Sequence, residues 1–549
     1  LREIHVPVGY RIPSKDRAVK ITPGGGTELT VQNDQVAAGI RVQKYDAETG
    51  KPKSQGGAVF EKARFRVVAL QDCKVDSVHY KSGDTVYDDL TLDKNGYAET
   101  PVNALTEGRY RPEDTGAPAG YLIGDSVEFA ITKEDHGKRK DLTGGEVADP
   151  PIRGGVRIKK VDKDTKKTTP QGNASLMGAR FEVLSLNDGA AMVNGAEYAH
   201  GQTVCILTIG ADGTAQTDSR LLPYGDYAVR EAVGGQPKGY QWSGENYREF
   251  SVTRDGVVVD LCGSPMEDPV IRGGVKVSKY DGESGESRPL GGASLKNMEI
   301  AVYNESREEV CVSGQIYKPG EIVHVMYTDA AGCAETPPDL LPCGSYRLVE
   351  TEPPEGYLDR GEDNRGVYEQ TLDISQNGEV VDRTGWGNGI TDFVKRGDFS
   401  IRKIDADTQR SMAGVSFRVT SLATGESHVF MTDANGYYST SSSYSPHTRN
   451  TNGGKARDGM WFGLRGDGNR VEADDSLGAL PYDTYRIEEL PGENNRGMTM
   501  FSDILTISEN KKTVELGSVE NKGIAIGTTA KDSLTGTHYQ AACEGACII

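Results

Sequence analysis

The 549-residue chain lacks several features that mark common classes of protein. It has no run of about 18 apolar residues, so we expect no membrane-spanning helix. It also lacks an excess of basic residues, because 81 Asp and Glu residues stand against 62 Lys and Arg residues. The resulting net charge of −19 repels nucleic acid and anionic membranes. We therefore predict that neither nucleic acid nor a membrane is its partner.

The sequence also lacks the motifs of common enzymes. It carries no nucleophile–base constellation, phosphate-binding loop or cofactor fingerprint, and its eight histidines show no metal-ligand spacing. The eight cysteines are spread unevenly, which indicates no uniform disulfide framework, and Cys543 and Cys547 have no second pair with which to bind a metal. We predict no cofactor, no metal site and no conventional enzyme, and the sequence leaves disulfide pairing open.

No signal peptide is present, and the chain begins with Leu1 rather than Met. Because it opens inside a motif that recurs later, we expect both ends to be cut from a longer polypeptide. The lack of a targeting segment therefore carries no information about location.

What the sequence does contain is a spacing that recurs four times. A short acid or amide residue lies 11 residues before a lysine that ends an alternating apolar stretch, and three copies share the pattern Asp-x-x-x-Arg-Gly-x-x-x-x-x-Lys. The pairs are Asn33 and Lys44, Asp149 and Lys160, Asp268 and Lys279, and Asp392 and Lys403. The lysines are 116, 119 and 124 residues apart, the usual size of one domain with its own core. This spacing indicates a tandem array and marks its domain joints.

Each repeat carries the same landmarks in the same order, and they indicate β-strands. The first strand alternates, as in Ile40, Val42 and Lys44, so a period of two places the lysine amine on the core side. The second strand is centred on Phe65, Phe181 or Phe417, with a looser form at 295–302 in the third repeat. Turns of the Asp-Gly type follow and signal hairpins. These short strands predict an all-β fold, a tandem array of immunoglobulin-like or transthyretin-like β-sandwich domains.

A further strand of each repeat, of the form Tyr-x-x-x-acid, ends in a carboxylate. The acids are Glu231, Glu350, Glu489 and, in the first repeat, Asp114, which follows Glu113. Each acid follows its lysine by 70, 71 and 71 residues in the first three repeats, and by 86 in the fourth, which has an insertion. Such a constant separation across unlike sequences suggests a fixed relation between the two residues in three dimensions.

Together these motifs resemble one known family. They resemble the Cna B-type, or SpaA-like, domains of Gram-positive pilins and surface adhesins, which have a prealbumin-like fold. The motifs that carry the resemblance are the K-x-D at the end of the first strand, the G-A-x-F in the next, the E-T-x-x-P-x-G-Y from Glu350 to Tyr357 and a terminal Asn or Asp. The resemblance implies domains at 38–151, 152–271, 272–396 and 397–523, the last with an insertion at 439–480. Residues 1–37 look like the end of another such domain, with Glu3 and Asn33 in the corresponding places. Residues 524–549 look like the start of a Thr-Gln ester, or VaFE-type, repeat.

The resemblance implies a self-generated isopeptide bond in each domain. Carried over by position, the bonds are Lys44–Asp149, Lys160–Asp268, Lys279–Asp392 and Lys403–Asn521, with Asp114, Glu231, Glu350 and Glu489 as the respective catalysts. Burial disfavours every charged form, so a neutral amine would face a neutral acid or amide. The catalyst would then act as general acid and base, with fixed geometry supplying the effective molarity. The competing interpretation of each lysine is a solvated charge at a strand end.

Two functions of different classes follow from these features. The first is the structural stalk of a cell-wall-anchored surface protein, a pilin-like or adhesin shaft, located outside the cell and attached to peptidoglycan through regions absent from this chain. The second is a host-binding adhesin region that uses the insertion, whose Tyr444, His447, Trp461 and Phe462 would contact an extracellular-matrix or cell-surface ligand. The competing interpretation of the insertion is an extra hairpin packed on its own domain. The sequence leaves open the ligand and whether chains polymerise.

Overall fold

The computed structural model describes residues 1–359, 368–455, 458–531 and 538–543, with only the backbone described for 526–531 and 538–543. The chain divides into two compact units, Leu1–Pro170 with Ala174–Val270, and Gln171–Asn173 with Ile271–Ile549. The helical segments in the described ranges are three short 3-10 turns, Lys133–Asp135, His447–Arg449 and Glu493–Asn495. No helix in these ranges has the length and apolar character needed to cross a membrane.

The second repeat shows the architecture, two sheets that enclose one core. In the first sheet, Arg153–Asp162 pairs with four strands, antiparallel to Thr214–Gln216 and Leu222–Pro223 and parallel to Val258–Asp260 and Met266–Asp268. The second sheet is antiparallel, in the order Thr203–Thr208, Arg180–Ser185, Gly225–Glu231 and Tyr247–Val252. A separate hairpin pairs Ala191–Val193 with Ala196–Tyr198. Val156 and Ile158 of the first sheet pack in one core with Phe181 of the second, as the alternating pattern predicts.

The other three repeats have the same two-sheet arrangement, each with its own core. The strands of the first repeat are Gly39–Asp46, Arg64–Ala69, Cys73–Val75, Val78–Tyr80, Thr85–Thr91, Tyr97–Glu99, Gly108–Gly116, Phe129–Ile131 and Arg139–Asp149. Those of the third are Arg272–Asp281, Glu299–Asn304, Val310–Val312, Gln315–Tyr317, Ile322–Tyr327, Cys333–Glu335, Leu341–Pro342, Gly344–Glu352, Glu369–Ile374, Val380–Arg383 and Ile390–Asp392. Those of the fourth are Arg396–Asp405, Ser416–Ser421, Ser427–Met431, Tyr437–Ser439, Leu480–Pro481, Asp483–Glu489, Ser502–Ile507 and Thr513–Asn521. The predicted all-β array of sandwiches is confirmed.

At the C-terminal end, Ile526–Lys531 pairs with His538–Cys543 in a two-stranded hairpin. Residues 532–537 and 544–549 lie outside the described residues, and with them much of the segment that resembles a Thr-Gln ester repeat. That resemblance stays a prediction. Among the cysteines whose side chains are described, Cys73, Cys205, Cys262 and Cys333 are free thiols.

The predicted Asp-Gly turns have a structural role at the lysines. Their glycines adopt φ values from 66° to 77°, which side chains with a Cβ rarely adopt, at Gly96, Gly213, Gly332 and Gly436. In all four repeats the carbonyl of this glycine accepts a hydrogen bond of 2.7–2.9 Å from the backbone N–H of the lysine that ends the first strand. The turn therefore holds the backbone at the point where the lysine side chain enters the core.

Within each unit, the arginine of the joint motif reaches back to the preceding repeat. Arg153 Nη2 lies 2.6 Å from Glu48 Oε2, and its guanidinium also donates to the carbonyl of Leu221. Arg396 Nη2 lies 2.8 Å from Glu283 Oε2, and this side chain is almost completely buried. Each arginine thus ties the entry strand of one repeat to the turn after the K-x-D motif of the repeat before it.

Candidate functional site

The same strand register brings each lysine close to the Asp or Asn predicted to form the isopeptide bond with it, in all four repeats. This Asp or Asn is called the acceptor below. The first and last strands run parallel, and the acceptor aligns with the aspartate of the K-x-D motif, two residues beyond the lysine. The aligned pairs are Asp46 with Asp149, Asp162 with Asp268, Asp281 with Asp392, and Asp405 with Asn521. Since side chains alternate along a strand, the lysine and the acceptor point to the same face of the sheet, which is the core face.

The third member of each site comes from the opposite sheet. The predicted acid aligns with a large apolar residue on the neighbouring strand, in the pairs Phe65 with Asp114, Phe181 with Glu231, Ile300 with Glu350, and Phe417 with Glu489. The amines of Lys44 and Lys160 lie 4.8 and 5.3 Å from the ring centroids of the first two phenylalanines. In the third repeat Ile300 replaces the phenylalanine, and Lys279 lies over Tyr357 instead, at 4.5 Å. The looser sequence pattern at 295–302 reflects this exchange.

In the second repeat, Lys160 Nζ lies 2.6 Å from Asp268 Oδ1 and 3.7 Å from Glu231 Oε1. All three side chains are at most 1% exposed. Burial lowers the pKa of Lys160, although both acids oppose this, and burial raises the pKa of Glu231 to about 7. Lys160 Nζ makes no hydrogen bond within the described part of the chain, despite its short approach to Asp268. The amine therefore faces the carboxyl group at contact distance without hydrogen-bond alignment.

The third and fourth repeats vary the same arrangement. Lys279 Nζ lies 3.4 Å from Asp392 Oδ2, and burial lowers the pKa of Lys279 while Asp392 and Glu350 raise it. In the fourth repeat, Lys403 contacts the Asn521 amide oxygen and lies 3.3 Å from Glu489 Oε2. Asn521 Nδ2 donates to Glu489 Oε1 at 2.5 Å, and burial lowers the pKa of Lys403. The structure thus brings together the lysine, the acid and the acceptor predicted for both repeats.

The first repeat has adjacent acids, and the structure orients them to opposite faces. Lys44 Nζ lies 3.0 Å from Asp114 Oδ2 and 2.6 Å from Asp149 Oδ1, and burial raises the pKa of Asp114. Glu113 points outward and accepts hydrogen bonds from Arg66 and Arg111, which lower its pKa. Strand alternation predicts this division. Asp114 is therefore the acid that contacts the amine, with a side chain one methylene shorter than glutamate.

Replacing these acids separately tests the assignment. We expect Asp114→Ala to prevent cross-linking of Lys44 to Asp149, because no other described carboxylate contacts the amine from the opposite sheet. Glu113→Ala should leave the bond intact, since it removes only a surface contact. Tryptic mapping of both variants would detect the branched peptide. Loss of the bond in the Glu113 variant alone would show that the register of this strand is wrong.

The E-T-x-x-P-x-G-Y motif supplies a buried tyrosine that anchors the K-x-D aspartate. The hydroxyls of Tyr121, Tyr240 and Tyr357 donate to Asp46, Asp162 and Asp281 at 2.8, 2.8 and 3.0 Å. In the fourth repeat Met498 occupies the corresponding bridge position, so this hydrogen bond is lost. The degenerate motif of that repeat therefore changes the support of the first strand, while the lysine, acid and acceptor stay together.

Sequence reasoning missed the hydrogen-bond donors to the acids and acceptors. These donors are the Gly124 backbone N–H to Asp149, the Asn246 side chain to Glu231 and Asp268, and the Asn495 side chain to Glu489. They lie at different distances along the chain from their lysines, so no common spacing reveals them. In the N-terminal segment, Asn33 Nδ2 donates to Glu3 Oε1 at 3.0 Å, which brings together the two residues assigned there.

The insertion of the fourth repeat buries the aromatic residues that were considered for ligand binding. Trp461, Phe462 and His447 are 4%, 1% and 0% exposed. Trp461 Nε1 donates to the Val471 carbonyl at 3.1 Å, and Phe462 belongs to the core of its repeat. Tyr444 is half-buried. Among the described residues of the insertion, these side chains form an internal layer, which supports the packed interpretation.

Comparison with known proteins adds a family match for one repeat. Residues 154–262 match the family model for SpaA, a prealbumin-like fold domain, a span that contains Lys160 and Glu231. The chain has no match among curated proteins. Similar solved structures include the Bacillus anthracis TIE protein, with 16% identity over 88% of this chain and 73% of that chain and a TM-score of 0.42. BcpA, the major pilin subunit of Bacillus cereus, has 15% identity over 68% of this chain and 99% of that chain, with a TM-score of 0.22. The shaft pilin SpaA from Lactobacillus rhamnosus GG has 14% identity over 46% of this chain and 99% of that chain, with a TM-score of 0.18.

Proposed function

We propose that this chain is a structural stalk. Two observations support the proposal: the second repeat matches the SpaA prealbumin-like domain, and the other three repeats share its register. The stalk would belong to a Gram-positive, cell-wall-anchored surface protein, as a pilin-like or adhesin shaft outside the cell. The observation that carries the proposal is a buried lysine, acid and acceptor at one register in four repeats. Each repeat would form its own Lys–Asp or Lys–Asn bond in a single turnover.

The condensation requires a neutral amine and a neutral carboxyl group, and burial favours the neutral form of Lys160. A neutral Lys160 amine attacks Cγ of the neutral Asp268 carboxyl group, and the Glu231 carboxylate accepts the proton that the amine loses. Glu231 then passes this proton to the departing oxygen, which leaves as water. In the fourth repeat the Asn521 amide nitrogen departs as ammonia, and Asn521 Nδ2 already donates to Glu489. Because the pKa of Glu231 is about 7, this side chain can both accept the proton from Lys160 and donate it to the departing oxygen near neutral pH.

The acceptor aspartates give further support to this chemistry. One oxygen of each, namely Asp149 Oδ2, Asp268 Oδ2 and Asp392 Oδ2, is buried and has no hydrogen-bond partner within the described part of the chain. An unsatisfied buried polar atom costs about 1–3 kcal/mol, and more when charged. Condensation of the neutral amine and the neutral carboxyl group removes one carboxyl oxygen as water. Bond formation would therefore relieve a cost that an ion pair in the same place would retain.

The position of the bonds suits a load-bearing shaft. The chain enters each repeat through its first strand and leaves through its last, and these are the two strands that the bond would join. A pulling force would then pass through one covalent link instead of separating the sheets. Arg153 and Arg396 add charged contacts at the joints inside each unit, to Glu48 and Glu283.

The intact mass of the natively folded chain tests the proposal. We expect it to be lower than the mass calculated from the sequence by three waters and one ammonia, because three acceptors are Asp and one is Asn. In a Lys160→Met variant the deficit should fall by one water. An unmodified mass in a folded preparation would exclude the isopeptide bonds and remove the main support for the stalk.

Host-ligand binding through the insertion stays a prediction. The aromatic side chains on which it depends, Trp461 and Phe462, are buried in the core layer described above. No contact or exposed cluster among the described residues of the insertion favours this function over the stalk.

A further inference from the structure

We propose that Asn246 is an additional catalytic residue of the second repeat, whose side-chain N–H stabilises the negative charge that develops on Asp268 Oδ1 during bond formation. This inference rests on the proposed function, and it identifies a donor that the lysine–acid–acceptor set does not include.

The Asn246 amide is buried and its orientation is determined by its partners. Its Oδ1 accepts a hydrogen bond of 2.9 Å from the backbone N–H of Glu267, so its Nδ2 must face the two carboxyl groups. Nδ2, which carries two hydrogens, donates to Asp268 Oδ1 at 2.8 Å and to Glu231 Oε2 at 2.9 Å, and the Glu267 carbonyl oxygen lies within 3.1 Å of it. The side chain therefore bridges the acceptor and the acid, and only 5% of the residue is exposed.

The two oxygens of Asp268 are in different environments, and this difference indicates their roles. Oδ1 accepts the Asn246 hydrogen bond and lies 2.6 Å from Lys160 Nζ, whereas Oδ2 has no hydrogen-bond partner within the described part of the chain. When the amine attacks Cγ, the carbon–oxygen π electrons move to the oxygen that becomes an oxyanion. A donor already in position at Oδ1 stabilises that charge without reorganisation. Oδ2 then takes the proton carried by Glu231 and leaves as water.

The other repeats provide internal controls, because each supports its site differently. In the first repeat, the backbone N–H of Gly124 donates to Asp149 Oδ1 at 2.9 Å, a donor that side-chain substitution leaves unchanged. In the third repeat, the strand register places Tyr368 where the second repeat has Asn246. A substitution of Asn246 should therefore affect only the Lys160–Asp268 bond. The other three proposed bonds can be measured in the same chain and serve as controls.

The decisive measurement is the rate of bond formation in the full chain. The chain would be made by pulsed cell-free synthesis, quenched in denaturant at successive times and mapped by trypsin and mass spectrometry. We expect Asn246→Ala to slow the Lys160–Asp268 bond by about 10²-fold, the usual effect of losing one oxyanion donor, with the Lys279–Asp392 bond unchanged. An unchanged rate for Lys160–Asp268 in this variant would overturn the proposal.

A second variant separates chemistry from packing. Asn246→Asp has nearly the same shape and keeps an oxygen for the Glu267 N–H, but it can donate to Asp268 only when protonated. We expect its rate, relative to Asn246→Ala, to rise as the pH falls from about 8 to about 5, where a buried carboxyl group gains its proton. A pH-independent ratio would overturn the donor role. This variant also decides the question if Asn246→Ala leaves the repeat unfolded.

The wild-type chain and Lys160→Met distinguish failure of this inference from failure of the proposed function. If wild type forms the Lys160–Asp268 bond and both Asn246 variants form it equally fast, only the role of Asn246 is wrong. If the folded wild-type chain gives the same unbranched peptides as Lys160→Met, the bond itself does not form and both proposals are overturned for this repeat.

Discussion

Replacement of Glu231 by Gln should leave the second repeat folded but without its Lys160–Asp268 cross-link. Glutamine has almost the same shape, so the sheets can pack as before, but it cannot accept the proton that the amine must lose. The missing bond would have closed a loop of 108 residues. By the chain-entropy model a loop of that size contributes about 4.7 kcal/mol, which corresponds to about 20 °C in Tm at about 4 °C per kcal/mol.

This loss of stability can be measured in the whole chain by hydrogen exchange of peptides from the second repeat, along a temperature or denaturant series. Glu182→Gln is the matched control, because Glu182 lies on the same sheet and pairs with Arg230 at the surface. Surface pairs contribute about 0–1 kcal/mol, so the control should remain close to wild type. If Glu231→Gln forms the bond at the wild-type rate, Glu231 is not the catalyst. If the bond is lost with no change in stability, the entropic account is wrong.

The second large effect is expected in extensibility. When the wild-type chain is pulled from its ends, the four repeats should contribute almost no added length, because each bond joins the strands that carry the load. Replacing each bonding lysine by methionine should release loops of 105, 108, 113 and 118 residues. At about 3.4 Å per residue this is roughly 350–400 Å for each repeat.

Single-molecule force spectroscopy would resolve these steps one repeat at a time. Lys160→Met should add one unfolding step, whereas Lys159→Met should add none, because Lys159 lies on the same strand but points to the opposite face. Four unfolding steps of this size in the wild-type chain would show that the load bypasses the proposed bonds. The shaft function would then lose its mechanical basis even if the bonds form.

The insertion of the fourth repeat contributes to the joint within the second unit. Trp461 lies over the guanidinium of Arg396, with 3.9 Å from Cζ to the ring centroid, while Arg396 pairs with Glu283 of the third repeat. Trp461 and Val471 also share an apolar cluster with Leu290 and other residues of the third repeat. Trp461, which the sequence offered as part of a binding loop, therefore helps to pack two repeats together, while Phe462 packs in the core of its own repeat.

The sequence by itself determined the repeat, the fold class and the residues that meet in each site. These follow from short-range rules: a strand period of two sets which face a residue occupies, and a recurring spacing sets which strands correspond. The same rules separated Asp114 from its neighbour Glu113, which the structure places on the core face and the outer face. The confirmed β-sandwich array and the family match of the second repeat agree with that interpretation.

Only the tertiary structure decided which additional groups contact the sites and how the insertion packs. Asn246 and Gly124 reach their acceptors from the loop that follows the acid-bearing strand, but at different places within that loop, so no periodicity reveals them. In the third repeat Ile300 stands in the place of the aromatic residue, and the ring of Tyr357 lies against the amine. The burial of Trp461 depends on contacts with residues far away in the chain. Such contacts are set by the packing of whole elements, which local sequence patterns do not encode.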